Sequence, residues 1–424
     1  MKIYIYSVVF LIWLIPSPSK NWAEDWPQWL GPKRNGVSSE SVPVWNSELK
    51  PIWSIPIGEG NSSPVVSQNK IVIHSGIANK PQEKVQVFEL LSGKLVWEKT
   101  YNKAVFKPLY GEGPRSTPAI DQDFVYTFGN TGVLIAWKLA NGEKVWEVDT
   151  LKEFSVPNLK FGISTSPIVV GDLLIVMVGN NTDRQPKNKE APGTCLVAYN
   201  KKTGEKKWTT GRDSASYSSP ILHQDKLYVL SGQNVLKIDP TSGKIIWQIP
   251  FVDKLFESSS TLVIKDELIF GSSITSGGIC LKENKSSPET KPEVKWKNSQ
   301  LNCYFSTPIP IKDNYLLVMT GKLFPPPSGS LHCVDMNTGK IVWTKEKVGK
   351  YHASILKTGD SRFLILDDSG QLVLLEANTE KYQELAKTKL FTATGDAWAH
   401  PALCNGKLIV RSVDKLYCFN LRDK

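Results

Sequence analysis

Cysteine, histidine and methionine are scarce in this chain, at 6, 5 and 4 of 424 residues. No Cys-x-x-Cys and no His-x-x-x-His spacing occurs, so the common zinc sites are not expected. No two cysteines are adjacent, and the first is Cys195, which excludes a lipidated cysteine behind an export signal. Six is an even number, which permits disulfides in an oxidising compartment. Cys404 and Cys418 would share the last repeat, provided neighbouring strands hold them at bonding distance. Long apolar runs are missing too. Only residues 3–15 qualify, and they are too short for a comfortable membrane span. With Met1-Lys2 before them and Pro16-Ser17-Pro18-Ser19 after, they read as a secretory signal peptide, expected to cover residues 1–23 with cleavage between Ser19 and Glu24. The formal charge of +10 is scattered as isolated lysines on turns rather than gathered in a stripe, so no nucleic-acid partner is expected.

Glycine and proline, by contrast, mark a repeat. Asn337-Thr338-Gly339-Lys340-Ile341-Val342-Trp343 recurs with drift along the chain. Gly93, Gly142, Gly204 and Gly243 stand four residues before Trp97, Trp146, Trp208 and Trp247 in the same way. A polar residue and glycine between two apolar runs make a hairpin turn, with glycine supplying the positive φ. In the strand that follows, side chains alternate faces, which puts the indole on the buried one. Trp53, Trp97, Trp146, Trp208, Trp247, Trp296 and Trp343 occupy this place and are expected to dock blades. The unit at Asn378-Thr379-Glu380-Lys381-Tyr382 has lost both glycine and tryptophan, and is expected to be the loosest.

A second mark precedes each copy: a Ser/Thr pair, proline, then an apolar strand. Ser62-Ser63-Pro64, Ser116-Thr117-Pro118, Thr165-Ser166-Pro167, Ser218-Ser219-Pro220 and Ser306-Thr307-Pro308 are clear; Ser259-Ser260-Thr261, Ala353-Ser354 and His400-Pro401 are degraded. Their hydroxyls are expected to cap backbone groups. Two further strand-like runs lie between the marks, so each unit is a four-stranded antiparallel meander. Eight units at this spacing predict an all-β, eight-bladed β-propeller. The last unit stops at residue 420 without a fourth strand, while residues 50–55 form an orphan strand before the first unit. Joining the two closes the ring and removes two sheet edges. Residues 50–424 are thus the propeller and 24–49 a Trp-rich leader, with Trp26 and Trp29 expected to pack across one face. One closed ring of this length leaves no room for a second domain.

Val334-Asp335-Met336-Asn337-Thr338-Gly339-Lys340-Ile341-Val342-Trp343 resembles the repeat of the quinoprotein-like propellers with pyrroloquinoline-quinone (PQQ) type repeats. That group includes the outer-membrane assembly factor BamB and the PQQ alcohol dehydrogenases, and the resemblance covers nearly all of the mature chain. A dehydrogenase of this group would imply PQQ beside a ring disulfide of adjacent cysteines, a calcium ion held by Glu, Asn and Asp, and an Asp base. No such set can be placed by motif, although Glu112, Asn61 and Asp396 are nominal oxygen ligands. The favoured expectation is a non-catalytic, periplasmic or secreted monomer that presents its loops to a protein or envelope polymer, with no cofactor. A PQQ- and calcium-dependent dehydrogenase is the alternative. A carbohydrate-active propeller using Glu59, Glu112 or Glu257 is a third reading, since paired carboxylates are what glycoside chemistry requires.

Loops entering the first strands of the blades should ring one mouth of the channel. They carry Glu59, Asn61, Glu112, Arg115, Phe161, Tyr217, Glu257, Tyr304, His352, Trp398 and His400, which are the candidate binding residues. Residues 180–193, 283–293 and 322–329 read as insertions between second and third strands, available as a partner-binding rim.

Overall fold

The computed structural model describes residues 24–180, 194–322, 326–392 and 397–422. The expected signal peptide, Asp396 and most of the loop at 180–193 lie outside them. Eight four-stranded antiparallel sheets follow one another, each a simple meander. Blades 1 to 7 occupy residues 65–102, 119–149, 168–210, 221–250, 263–298, 309–346 and 353–389. Blade 8 takes Ala402–Cys404, Lys407–Arg411 and Lys415–Asn420 from the end of the chain and Pro51–Pro56 from its beginning. The first strands touch one another around the axis, so they line the channel.

Every blade carries one irregularity in the pairing of its third and fourth strands, beside the repeat tryptophan position. The same shift recurs where Trp53 faces Cys418, so the first strand of the chain replaces an ordinary fourth strand in detail.

Glycine and tryptophan prove to be two halves of one contact between blades. The turn glycine of each blade lies flat on the indole of the preceding one. A Cβ on Gly93, Gly142, Gly204, Gly243 or Gly339 would sit only 2.6 to 2.8 Å from the nearest atom of Trp53, Trp97, Trp146, Trp208 or Trp296. The indole N–H groups of these five donate to turn carbonyls of the next blade, Leu90, Leu139, Lys201, Pro240 and Met336, at 2.8 to 3.2 Å. Trp343 does the same to Asn378 at 3.2 Å, although no glycine is there.

Two further interfaces depart from this rule. The segment 283–293 joins the third and fourth strands of blade 5, Gly277–Lys282 and Glu293–Asn298, not the second and third as its sequence implied. It replaces the short glycine turn, and Trp247, facing it, keeps a buried N–H without an acceptor. In blade 7, Ala386 opposite Leu374 holds the tryptophan position. The neighbouring blade 8 has no third-to-fourth turn for an indole to cover, because its fourth strand is Pro51–Pro56 from the other end of the chain. Val44, Trp45 and Leu49 of the leader pack on the same buried core as Leu385, Ala386 and Tyr417, and the Leu49 N–H donates to Thr388 of blade 7.

Around the channel, hydroxyls link the blades. Backbone N–H groups of Ser63, Thr117, Ser166, Thr261 and His400 donate to side-chain oxygens of Thr117, Ser166, Ser219, Thr307 and Ser63 in the next blade, at 2.8 to 3.2 Å. All six cysteines are free and buried. Cys404 pairs with Lys407 and Cys418 with Ile409, leaving a whole strand between the two thiols, about twice the ~4.8 Å strand spacing and beyond disulfide reach.

The leader crosses the far end of the channel. Trp26 exchanges two backbone hydrogen bonds with Val66 of blade 1, at 2.8 and 2.7 Å, and Ile120 of blade 2 donates to Pro27 at 2.8 Å. Arg34, 2 % exposed, gives its guanidinium to the Pro167 and Ser166 carbonyls of blade 3. Ser38 and Gly36 bond both sides of Lys357 in blade 7.

Candidate functional site

The leader makes the channel blind, and the mouth opposite it is a cavity of about 110 Å³ with Trp29 among its lining residues. Trp29 is fixed from below, its indole donating to Thr261 Oγ1 at 2.9 Å and lying edge-on to His400. Trp26 is buried and stacked on His400, and Trp29 is the leader tryptophan that lines the cavity.

Asn61, Arg115, Phe161, Tyr217, Glu257, Tyr304 and Trp398 line the mouth as expected from their positions. The other four candidates lie elsewhere. Glu59 and Glu112 face a separate cleft over blades 1 and 2. His352 and His400 are buried in the channel wall. The His352 ring contacts the Ser306 and Ser354 hydroxyls, each at 3.0 Å, and burial lowers its pKa to about 3. His400 reaches the Pro401 and Ile355 carbonyls, and burial lowers its pKa as well.

Tyr110 and Phe305 also line the mouth, and with them the aromatic groups become continuous. Tyr304, Phe305, Trp398, Tyr110, Phe161 and Tyr217 follow one another with centroid separations of 3.9, 4.9, 5.6, 6.0 and 5.7 Å. The polar members are occupied by structural partners. Arg115 donates to the carbonyls of Phe161, Leu109, Tyr110 and Gly111, clamping two rim loops together, and burial draws its pKa down to about 10. Glu257 meets Lys160 Nζ at 3.0 Å. The Tyr217 hydroxyl accepts from the Phe161 N–H. Burial, and then the charge of Glu257, push the Tyr304 phenol well up. What remains exposed in the basin is mostly ring surface.

A simple rule would have found Phe305, though not Tyr110, which comes from the loop before Arg115. Asn61, Arg115, Ser164, Tyr217, Ser259, Phe305 and Trp398 all stand two places before the Ser, Thr or His that occupies the channel-hydroxyl position of their blade. Only blade 7 breaks the rule, where that residue is His352. No sequence signal marked the buried set of His74, Tyr101 and Glu83, which joins blade 1 to the Asn130 N–H of blade 2.

An enzyme of the kind the repeat resemblance implies would hold PQQ and calcium with side chains of this mouth. Asn61 and Glu112 line different cavities, and the cysteines are dispersed and buried. Among the described residues no three His, Cys, Asp or Glu side chains gather as a metal site. The described side chains do not assemble the implied calcium set.

A family model described as outer membrane protein assembly factor BamB matches residues 81–345, more than half of the chain. Among solved structures, the quinohemoprotein alcohol dehydrogenase of Comamonas testosteroni is similar at 14 % identity, covering 94 % of this chain and 81 % of that one, with a TM-score of 0.67. BamB from Moraxella catarrhalis is similar at 14 % identity over 89 % of this chain and 99 % of its own, with a TM-score of 0.60. A computationally designed protein, Ika8, shares the fold at 9 % identity and a TM-score of 0.55, covering 88 % of this chain and 100 % of its own. No curated protein matches the chain.

Proposed function

From the premise that the chain belongs to the BamB family of PQQ-type repeat propellers, we propose that it is a non-catalytic scaffold of the cell envelope that holds a segment of a partner protein at its channel mouth. The observation that carries this reading is the apolar rim beside the aromatic basin. Val105, Leu109 and Tyr110 on one loop are 76, 65 and 58 % exposed, and Val252 and Leu255 stand exposed on another. Tyr110 belongs to rim and basin at once, and Arg115 fixes its loop through three carbonyls. Exposed apolar groups around a preformed aromatic pocket favour a partner side chain inserted at the centre, with the loops shielding it from water. The commitment of Arg115, Glu257, His352 and His400 to structural bonds leaves the mouth without a free acid and base pair in the described set, which also favours binding over turnover.

A photo-crosslinking residue at Leu109 tests this. Incubated with envelope extract, it should give one discrete protein adduct, and the adduct should fade when Trp398→Ala is added. The same probe at Leu91, exposed on a distant turn, should give none. Equal adducts at both sites would sink the reading. So would saturable binding of PQQ with calcium that raises the melting temperature and supports alcohol-dependent dye reduction.

A further inference from the structure

We propose that the cleft over blades 1 and 2 binds a small carboxylate ligand, anchored by Lys103. This cleft is separate from the aromatic basin, and the inference does not need the partner reading above. Lys103 is 8 % exposed, and its ammonium is buried without a hydrogen-bond partner. Buried ammonium groups are ordinarily paired, because desolvation without compensation is costly. The stem is held in place, since the Lys103 backbone N–H donates to Pro81. Its side chain is among those lining a cleft of about 300 Å³ whose wall also holds Glu59, Glu112, Asn79 and Lys80. Neither glutamate forms an ion pair with it.

The walls are built for close backbone approach. Cβ atoms on Gly58 and Gly113 would lie 2.1 Å from the Gly76 carbonyl and 2.2 Å from the Glu59 carbonyl, so three segments pack together only because side chains are missing there. Gly76 N–H donates to Glu59 at 2.7 Å, and the Glu112 carbonyl accepts from Asn130. These bonds fix the backbone of Glu59 and Glu112, whose carboxylates belong to the lining of the cleft and bear on which anion fits. A dianionic phosphate would face both, whereas a monoanionic carboxylate can pair with Lys103, take a further bond from Asn79, and keep its charge small. A polar or cationic remainder of the ligand would then meet the glutamates.

The full-length mature protein should be titrated at constant ionic strength with N-acetylglycinate, with its neutral amide and with inorganic phosphate, by calorimetry and melting. N-acetylglycinate alone should bind saturably. Lys103→Met should weaken it at least tenfold and leave the unliganded melting temperature equal or higher, because a buried unpaired charge is removed. Lys80→Met should change the affinity less than threefold. Phosphate binding as tightly as the carboxylate, an unchanged affinity in Lys103→Met, or no saturable signal would each overturn the assignment. A lower melting temperature for unliganded Lys103→Met would overturn it too, since it would mean that the ammonium is paired within the protein.

Discussion

His352 illustrates what burial does to a single side chain in the channel wall. Its imidazole sits between two serine hydroxyls, and burial, with a smaller contribution from His400, holds its pKa at about 3. The unfolded chain would take up that proton near ~6.5. Between these values the unfolded state binds more protons, so stability is full above ~6.5 and falls as the pH drops toward 3, by at most ~1.4 kcal/mol per pH unit for this residue. His352→Gln should flatten the slope, as read from urea unfolding at pH 7, 5 and 4; an unchanged slope would exclude His352 as its source. At this scale the mouth was largely legible in the sequence, because position relative to the Ser/Thr-Pro mark places a side chain. It failed where the mark was degraded. His400 stands directly before Pro401, as Ser63 stands before Pro64, so it takes the hydroxyl position rather than the mouth. Glu59 and Glu112 were misplaced because the approach at Gly58, Gly76 and Gly113, a contact between distant segments, draws them to a different cleft.

The glycine turn is the element on which the interfaces depend. Gly243 has φ +74° and lies on Trp208, while Gly171 has φ +58° and nothing near its missing Cβ. Alanine at Gly171 should cost only the left-handed backbone penalty, ~1 kcal/mol. Alanine at Gly243 should cost that plus displacement of the indole, ~2–4 kcal/mol in all. Chemical denaturation of the two variants separates the terms, and equal losses would mean that the indole contact contributes little. The turn itself was readable from Ser242-Gly243, but its packing was not. Periodicity within a unit reports hairpins, whereas the indole under each glycine comes from the unit before. The misassigned segment 283–293 has the same origin. Without a glycine turn in blade 5, nothing local distinguished a second strand from a third.

Over the whole molecule, closure rests on Pro51–Pro56, which pairs along Lys415–Asn420. Removing residues 50–56 strips blade 8 of its outer strand and the first interface of Trp53. The truncated chain should lose its cooperative melt, or melt far below the intact protein. A melting temperature within a few degrees of the parent would show that the ring does not need this strand. Eight blades and closure by the first strand were both legible, because the repeat marks can be counted and the orphan halves fit. In the seventh unit the two losses belong to different interfaces. The lost indole faces blade 8, which has no third-to-fourth turn, while the lost glycine lies toward Trp343, whose N–H still reaches Asn378; beside blade 7 the leader's Leu49 N–H donates to Thr388.

The repeated contacts between blades point one way. Where the tryptophan N–H or the channel-strand N–H bonds across an interface, the earlier blade offers the N–H and the later blade the oxygen, including across the closure, where Trp53 meets Leu90 and His400 meets Ser63. By these contacts a blade has a donor side and an acceptor side, as a subunit does in a head-to-tail assembly, and such assemblies end only when the rotation returns to its start. The propeller is in this sense a cyclic oligomer strung on one chain, and a ring opened at blade 8 would present complementary unsatisfied faces to other copies of itself.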